Sequence, residues 1–316
     1  MMRRLAAALC ALLAGPACAQ ESLRVGIASN TWTFAPLQVG IDHGQFAAHG
    51  LRIEPLVFAG AARLQQAMVG GAADIALSGS TDFAYLVKGA PEIVVGGFVR
   101  PPMGLGLIVA DPAIRAVGDL KGRRIGVSSP SALTGWLAME LARSQGWPPE
   151  AIQLVSLGGV IAAQGAALVT GQVEAIFSDA ALGYMLEQKG QGRVLLTAAS
   201  FAPDFLTNVI LAAKSTAATR PGAVRAFLAA WFDAVGWMQA HRAETVASAR
   251  AITGLDESVV GREYDESLAM FTRGGAISTA ELARVATAIA DTGLTDRPVD
   301  LTGYYSDAFL PPAASQ

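Results

Sequence analysis

The chain has 316 residues, which suits two domains at the usual size of about 150 residues each. It is 52% hydrophobic and 16% charged, a composition that excludes disordered and collagen-like chains. The net charge is −3 and no block of lysine and arginine occurs, so a nucleic-acid backbone is not expected as a partner. Beyond residue 20, no apolar run approaches the ~18 residues that a membrane-spanning helix requires.

The first nineteen residues have the pattern of a secretory signal peptide. Arg3 and Arg4 precede an apolar stretch over residues 5–14, and small residues follow at 17–19. We therefore expect cleavage of residues 1–19, a mature protein that begins at Gln20, and a periplasmic location. Cys18 is a possible lipid-anchor position, but the residues before it are a poor lipoprotein signal, so a soluble protein is the better prediction.

Both cysteines, Cys10 and Cys18, lie in this leader. The mature chain then has no disulfide and no thiolate nucleophile. Its three histidines, His43, His49 and His241, lack metal-ligand spacing. No nucleotide-binding loop, dinucleotide glycine motif or hydrolase elbow occurs. We expect neither a cofactor nor a metal.

The next eighty residues alternate between short apolar runs and helical patterns. Strands are predicted at 23–28, 51–58, 74–78 and 92–99. Helices are predicted from Pro36, after Gly60, and at 82–88. This repetition predicts an α/β fold with a parallel sheet covered by helices on both faces.

The pattern then starts again. Strands are predicted at 105–110, 124–128, 152–157, 174–178 and 194–198, with helices at 133–145, 162–170 and 182–188. One further strand, 208–214, precedes four helices at 222–241, 243–253, 257–269 and 279–292. Because a tail with one strand cannot form its own sheet, we expect it to pack on the first unit. Lobe 1 is then 20–102 and 209–316, and lobe 2 is 103–208. Two crossing strands, near 99–107 and 206–211, would form a hinge with the ligand site between the lobes.

Several glycine-rich motifs resemble one family of solute-binding proteins. They are Phe34-x-Pro36, Gly40-x-x-x-Gly44-x-Phe46-x-x-x-Gly50-Leu51-x-Ile53, the segment 119–127 and the segment 168–175. In this order they resemble the binding proteins of nitrate, sulfonate, taurine and thiamine-pyrimidine importers, the SsuA/THI5-like proteins. The resemblance implies a two-lobed periplasmic binding protein fold of type II, with two doubly wound lobes joined by two crossing strands. It also implies a monomer that delivers a small-molecule ligand to an ABC permease and its ATPase at the inner membrane.

On this fold the ligand is expected at the carboxyl ends of the strands, where helix N-termini point. Four loops then carry the candidate ligand-binding residues. Trp32 has the strongest case because a tryptophan in a polar loop is hard to place in a core. The hydroxyl residues are alternatively ordinary helix N-caps. The candidates are Asn30, Thr31, Trp32, Gly79, Ser80, Thr81, Ser128, Ser131, Thr134 and Asp179.

The class of ligand stays open between a sulfonate-, taurine- or nitrate-like solute and a pyrimidine-like one. Sulfonate binders often carry Trp-Asp/Glu-Pro where this chain has Ser178-Asp179-Ala180, and the four loops contain no lysine or arginine. Arg100 is the nearest candidate cation, whereas Asp179 suits an amino or ring N–H group. Two other functions remain open: a pyrimidine-synthesising enzyme on the same fold, and a periplasmic sensor subunit.

Overall fold

The computed structural model describes residues 20–58 and 60–312, so the predicted signal peptide lies outside the described residues. Ten strands are present in this part of the chain. They are β1 (Glu21–Ile27), β2 (Leu51–Val57), β3 (Ile75–Gly79), β4 (Glu92–Val99), β5 (Leu105–Val109), β6 (Arg124–Val127), β7 (Gln153–Ser156), β8 (Ala175–Asp179), β9 (Arg193–Thr197) and β10 (Asn208–Ala213). They form two five-stranded sheets, in the orders β2-β1-β3-β10-β4 and β7-β6-β8-β5-β9.

Helices follow most strands and make up most of the chain after β10. They are α1 (Ala35–Asp42), α2 (Gln45–Ala48), α3 (Ala61–Val69), α4 (Phe83–Val87), α5 (Leu133–Ser144), α6 (Ile161–Val169), α7 (Ala180–Gln188), α8 (Lys214–Thr219), α9 (Pro221–Ala240), α10 (Arg242–Thr253), α11 (Glu257–Ser267) and α12 (Thr279–Asp291). We call the first sheet with its helices, including α8 to α12, lobe 1, and the second sheet with α5 to α7 lobe 2.

Each sheet is mixed, which corrects the expectation of purely parallel sheets. β10 runs antiparallel to β3 and β4, and β5 runs antiparallel to β8 and β9. These are the two strands with which the chain enters one lobe from the other. Each begins beside the carboxyl end of a neighbour, since Asn208 is opposite Gly79 and Leu105 is opposite Asp179. A strand that starts at that end must run against its neighbours.

Both faces of each sheet are buried, as the apolar runs predict. In β3, Ile75 and Leu77 pack in one core cluster while Ala76 between them packs in another. In β5, Leu107 and Ile108 divide between two clusters in the same way. The edge of each sheet at the carboxyl ends of its parallel strands is left for the loops that form the site.

Contacts between the lobes also occur away from the sheets. The hydroxyl of Tyr184 in α7 donates to Glu266 in α11 at 2.8 Å. Arg143 in α5 pairs with Asp291 in α12 at 2.8 Å. Apolar packing accompanies these pairs, since Ala180, Ala181 and Tyr184 of α7 form a buried cluster with Val259 of α11. The helices after β10 therefore hold lobe 2 by both polar and apolar contacts.

Candidate functional site

A cavity of about 600 Å³ lies between the two sheets. Its lining comes from the loops after β1, β2 and β3 in lobe 1 and after β6, β7 and β8 in lobe 2. Carboxyl ends of strands are where α/β sheets expose unpaired backbone groups and helix N-termini to a ligand. We call this space the interlobe cavity.

Seven of the ten candidate residues line the interlobe cavity, on both of its walls. Gly79 and the residues around it form the lobe 1 wall together with Asn208, whose side-chain amide donates to the carbonyl of Ser78 at 3.2 Å. This bond ties the first residue of β10 to the end of β3. The seven residues are Asn30, Thr31, Gly79, Thr81, Ser128, Thr134 and Asp179.

Trp32 does not line the cavity, which makes the sequence-based expectation for it wrong. Its side chain is 1% exposed and packs edge-on against Tyr264 and Phe271, with ring centroids 6.1 and 5.7 Å away. The residues Trp32–Phe34 form a single 3-10 turn that points this indole inward. Tyr264 and Phe271, which are distant in the sequence, surround the indole, so the polar residues next to Trp32 in the chain do not indicate its environment.

Ser80 and Ser131 also lie away from the cavity lining. Ser80 is completely buried, and its hydroxyl has no partner within the described residues. Ser131 lies in a neighbouring surface depression, where its hydroxyl is 3.3 Å from that of Ser129. Helix α5 begins one residue later than a cap at Ser131 would require, with Ala132 at the N-cap, so Ser131 does not cap it.

Thr134 organises the loop after β6. Its hydroxyl accepts from the backbone N–H of Ser128 at 3.0 Å and lies 2.8 Å from the Ser128 hydroxyl. The first turn of α5 is thereby joined to the end of β6. Both side chains keep polar atoms at the lobe 2 wall, but part of their hydrogen-bonding capacity is already used within the loop.

Asp179 is the charged residue of the lobe 2 wall. It is the N-cap of α7, and its carboxylate accepts from the backbone N–H of Ala181 at 3.1 Å. The carboxyl group of Glu263 in α11, 2% exposed, lies beside it. Burial raises the pKa of both groups, and the negative charge of Asp179 raises that of Glu263 further. Both carboxyl groups therefore hold a proton more tightly than an exposed acid does.

A second carboxyl group, that of Asp82, lies on the lobe 1 wall. The sequence did not indicate it as a site residue, because Asp82 is predicted as the start of a helix. Asp82 lines the cavity, is 5% exposed, and accepts a hydrogen bond from the hydroxyl of Ser78. One end of the Gln65 amide is 3.5 Å from Asp82 Oδ2, and the other end is 2.9 and 3.0 Å from the two oxygens of Glu92. The amide orientation that satisfies both ends of Gln65 has its N–H group donating to Glu92, so Ser78 is the close donor to Asp82.

Burial gives these two acids high affinities for a proton. It raises the pKa of Asp82 to about 6 and that of Glu92, which is 1% exposed, to about 7. The charge of Asp82 adds to the shift of Glu92. Near neutral pH, Glu92 is the more readily protonated member, and Asp82 is the one that keeps its charge at the cavity.

The interlobe cavity contains no basic side chain among the residues that the structure describes. Arg100, the candidate cation from the sequence, pairs with Glu281 at 2.7 Å and donates to the carbonyl of Ala276 at 2.8 Å. Within residues 20–58 and 60–312 no group of three acidic, histidine or cysteine side chains is arranged to hold a metal ion. In the same ranges, no helix combines the length and apolarity needed to cross a membrane.

Solved structures with this fold include several periplasmic binding proteins. The aliphatic sulphonate binding protein SsuA of Escherichia coli superposes with a TM-score of 0.79 at 20% identity, covering 90% of this chain and 92% of that one. The alkanesulfonate-binding protein SsuA of Xanthomonas axonopodis, solved with bound MOPS, gives 0.75 at 20% identity, over 90% and 98%. These likenesses establish the two-lobed periplasmic binding protein fold.

Curated relatives are similarly distant. A Brucella abortus protein named as a binding protein is 24% identical over 298 residues, covering 90% of this chain and 89% of its own length. A Haemophilus influenzae protein named for thiamine biosynthesis is 24% identical over 211 residues. That second match covers 66% of this chain and 65% of the relative.

The family model described as NMT1/THI5-like matches residues 31–245. This range begins within the first cavity loop, at Thr31, and contains the whole of lobe 2 and the returning strand β10. It therefore includes most of both walls of the interlobe cavity. On this match the chain belongs to the NMT1/THI5-like family.

Proposed function

We propose that this protein is the periplasmic solute-binding subunit of an ABC importer, which captures a small organic solute in the interlobe cavity and delivers it to the membrane permease. The observation that carries the proposal is the cavity itself, lined by strand-end loops of two lobes that two segments of the chain connect. A volume of about 600 Å³ is within the usual range for small-molecule sites. The names of the Escherichia coli and Brucella abortus proteins support binding as the function.

The proposal includes the organisation expected from the sequence. Residues 1–19 are removed as a signal peptide, lobe 1 comprises 20–102 and 209–316, and lobe 2 comprises 103–208. The mature protein acts as a monomer and meets the permease and ATPase only as transient partners. N-terminal sequencing of periplasmic protein should begin at Gln20; an intact Met1 or a lipid on Cys18 would contradict this part.

Mass spectrometry under native conditions tests the proposed function directly. Protein prepared from periplasm by a gentle one-step purification should carry a small molecule that denaturation releases. The released solute, added back to protein refolded without it, should bind in a one-to-one ratio. If no small molecule is retained and periplasmic extract does not raise the melting temperature of the refolded protein, the binding function is wrong.

A second candidate is an enzyme of pyrimidine synthesis, favoured by the name of the Haemophilus influenzae relative. The same preparation separates the two functions. A binding protein returns the solute with its mass unchanged after prolonged incubation at growth temperature. An enzyme would release a product of different mass.

A further inference from the structure

We propose that the interlobe cavity selects a ligand whose polar groups are N–H donors, such as an amidine, an aminated heterocycle or an ammonium group, and rejects sulfonates and nitrate. This inference rests on the proposed binding function and specifies its ligand class. It follows from the two carboxyl groups of the cavity, Asp82 on the lobe 1 wall and Asp179 on the lobe 2 wall.

The charge of the lining is of one sign. Of the described residues that line the cavity, Asp82 and Asp179 are acidic and none is basic. An anion that left water for this space would lose its hydration and meet like charge, and both effects oppose binding. A donor ligand would instead supply hydrogens to carboxylates that have few other partners.

Asp179 is built as an acceptor of fixed orientation. The backbone N–H of Ala181 holds one of its oxygens. Neither oxygen of the buried Glu263 carboxyl group has a hydrogen-bond partner within the described residues, so it does not occupy the acceptor positions of Asp179. No ion pair with a lysine or arginine is formed by Asp179 in the described part of the chain.

Asp82 is held in a comparable way in the opposite lobe. Ser78 donates to it, and Gln65 links it to the more deeply buried Glu92. As with Asp179, no lysine or arginine among the described residues lowers the pKa of this carboxyl group. Each wall therefore presents one carboxyl group to the cavity, an arrangement suited to a ligand with N–H groups at both ends or along one edge.

The rest of the lining fits an apolar, planar ligand body. Phe34, Phe58, Leu133 and Phe177 are among the larger apolar side chains of the lining. Of the hydroxyl donors, Thr134 is already engaged with Ser128. Hydroxyl side chains such as Thr31 and Thr81 can serve a ligand as donors or acceptors. The full negative charge of a sulfonate, however, is repelled by the two carboxylates.

Matched probes of one ring size test the ligand class on the wild-type protein, stripped of retained solute by refolding. Benzamidine and 4-aminopyrimidine carry N–H donors, and benzenesulfonate carries an anion. At millimolar concentration, either N–H probe should raise the melting temperature, and benzenesulfonate should leave it unchanged. Stabilisation by benzenesulfonate or by nitrate overturns the ligand class while supporting a binding cavity, so the two proposals can fail separately. Absence of a shift with both N–H probes also overturns it.

Two isosteric variants locate the effect. Asp82→Asn and Asp179→Asn should each weaken binding of the stronger N–H probe about tenfold or more, the worth of one charge-assisted hydrogen bond. The control is Asp42→Asn, the same change at an exposed carboxyl group in α1 that does not line the cavity. Circular dichroism establishes that each variant is folded. Unchanged affinity in either cavity variant overturns the two-carboxylate site, and if a variant does not fold, the wild-type probe series still decides the ligand class.

Discussion

Trp32 is a core residue whose neighbours come from the far end of the chain. It is 1% exposed between Tyr264 and Phe271, so Trp32→Ala should lower the free energy of unfolding by about 3–5 kcal/mol. Urea denaturation measures this loss. Trp32→Phe, which keeps a ring and removes an indole nitrogen that has no partner in the described residues, should cost much less. If Trp32→Ala left stability unchanged but weakened ligand binding, Trp32 would be a ligand contact and not a core residue.

The buried acids Asp82 and Glu92 should make stability depend on pH. Their folded pKa values, about 6 and about 7, lie above the unfolded values of ~4. The folded state therefore binds protons more tightly in this range, and their contribution to stability is greatest below pH 4. This contribution is lost as the pH rises through the folded pKa values. The free energy of unfolding should therefore decrease between about pH 4 and pH 7.

Glu92→Gln removes the titrating group and retains its shape. Denaturation at a series of pH values should give a smaller decrease between pH 4 and 7 in this variant than in the wild type. Glu263 and Asp179, whose pKa values are also raised, contribute a decrease of the same sign in both proteins. A variant profile parallel to that of the wild type would contradict the assignment of the slope to Glu92.

At the scale of the element, two serines near helix N-termini have different roles: one caps its helix and the other only precedes it. Ser278 accepts from the backbone N–H of Glu281 at 3.2 Å, and Glu281 accepts from the backbone N–H of Ser278 at 2.8 Å, a reciprocal cap for α12. Ser278→Ala should cost about 1 kcal/mol of stability. Ser131→Ala is the matched control before α5 and should be nearly neutral, because Ser131 makes no cap bond. Chemical denaturation compares the two, and equal losses would contradict this distinction.

Most elements were predictable because burial on both sheet faces leaves uninterrupted apolar runs. β4 was predicted at 92–99 and occupies Glu92–Val99, and predicted helix 257–269 corresponds to α11. Helix α8 was missed because Lys214–Thr219 is polar, short and without apolar periodicity. The direction of β5 and β10 was predicted wrongly. Strand–helix–strand repetition predicts parallel neighbours, but β5 and β10 each follow a connection from the other lobe and not a helix that crosses over the same sheet.

The site was predictable where strand ends alone determine it. Asn30, Gly79, Ser128 and Asp179 follow or end strands, and strand ends face the cavity in this fold. Asp82 was missed because its role depends on Gln65 and Glu92, residues of other elements. Glu263 gave no signal in the sequence, since only the packing of α11 on α7 brings it to Asp179.

At the scale of the whole molecule, the lobes should close around a ligand. Two segments of chain, 100–104 and 198–207, connect the lobes. Rotation about this hinge has to rearrange polar pairs such as Arg143 with Asp291 and the apolar contact between α7 and α11. Small-angle X-ray scattering should give a smaller radius of gyration with saturating retained solute than without it. The Asp179→Asn protein, measured under the same conditions, serves as the control. An unchanged radius on binding would contradict closure.

The place of β10 in the first sheet also determines the order in which the chain can fold during synthesis. Within the described residues β4 pairs with no strand other than β10, yet more than a hundred residues separate them in the sequence. The five strands of lobe 2 lie within that interval. The second sheet can thus form from a contiguous segment, whereas the first stays incomplete until Asn208–Ala213 has emerged from the ribosome. Such long-range pairing slows folding, so the second sheet should be complete before the first.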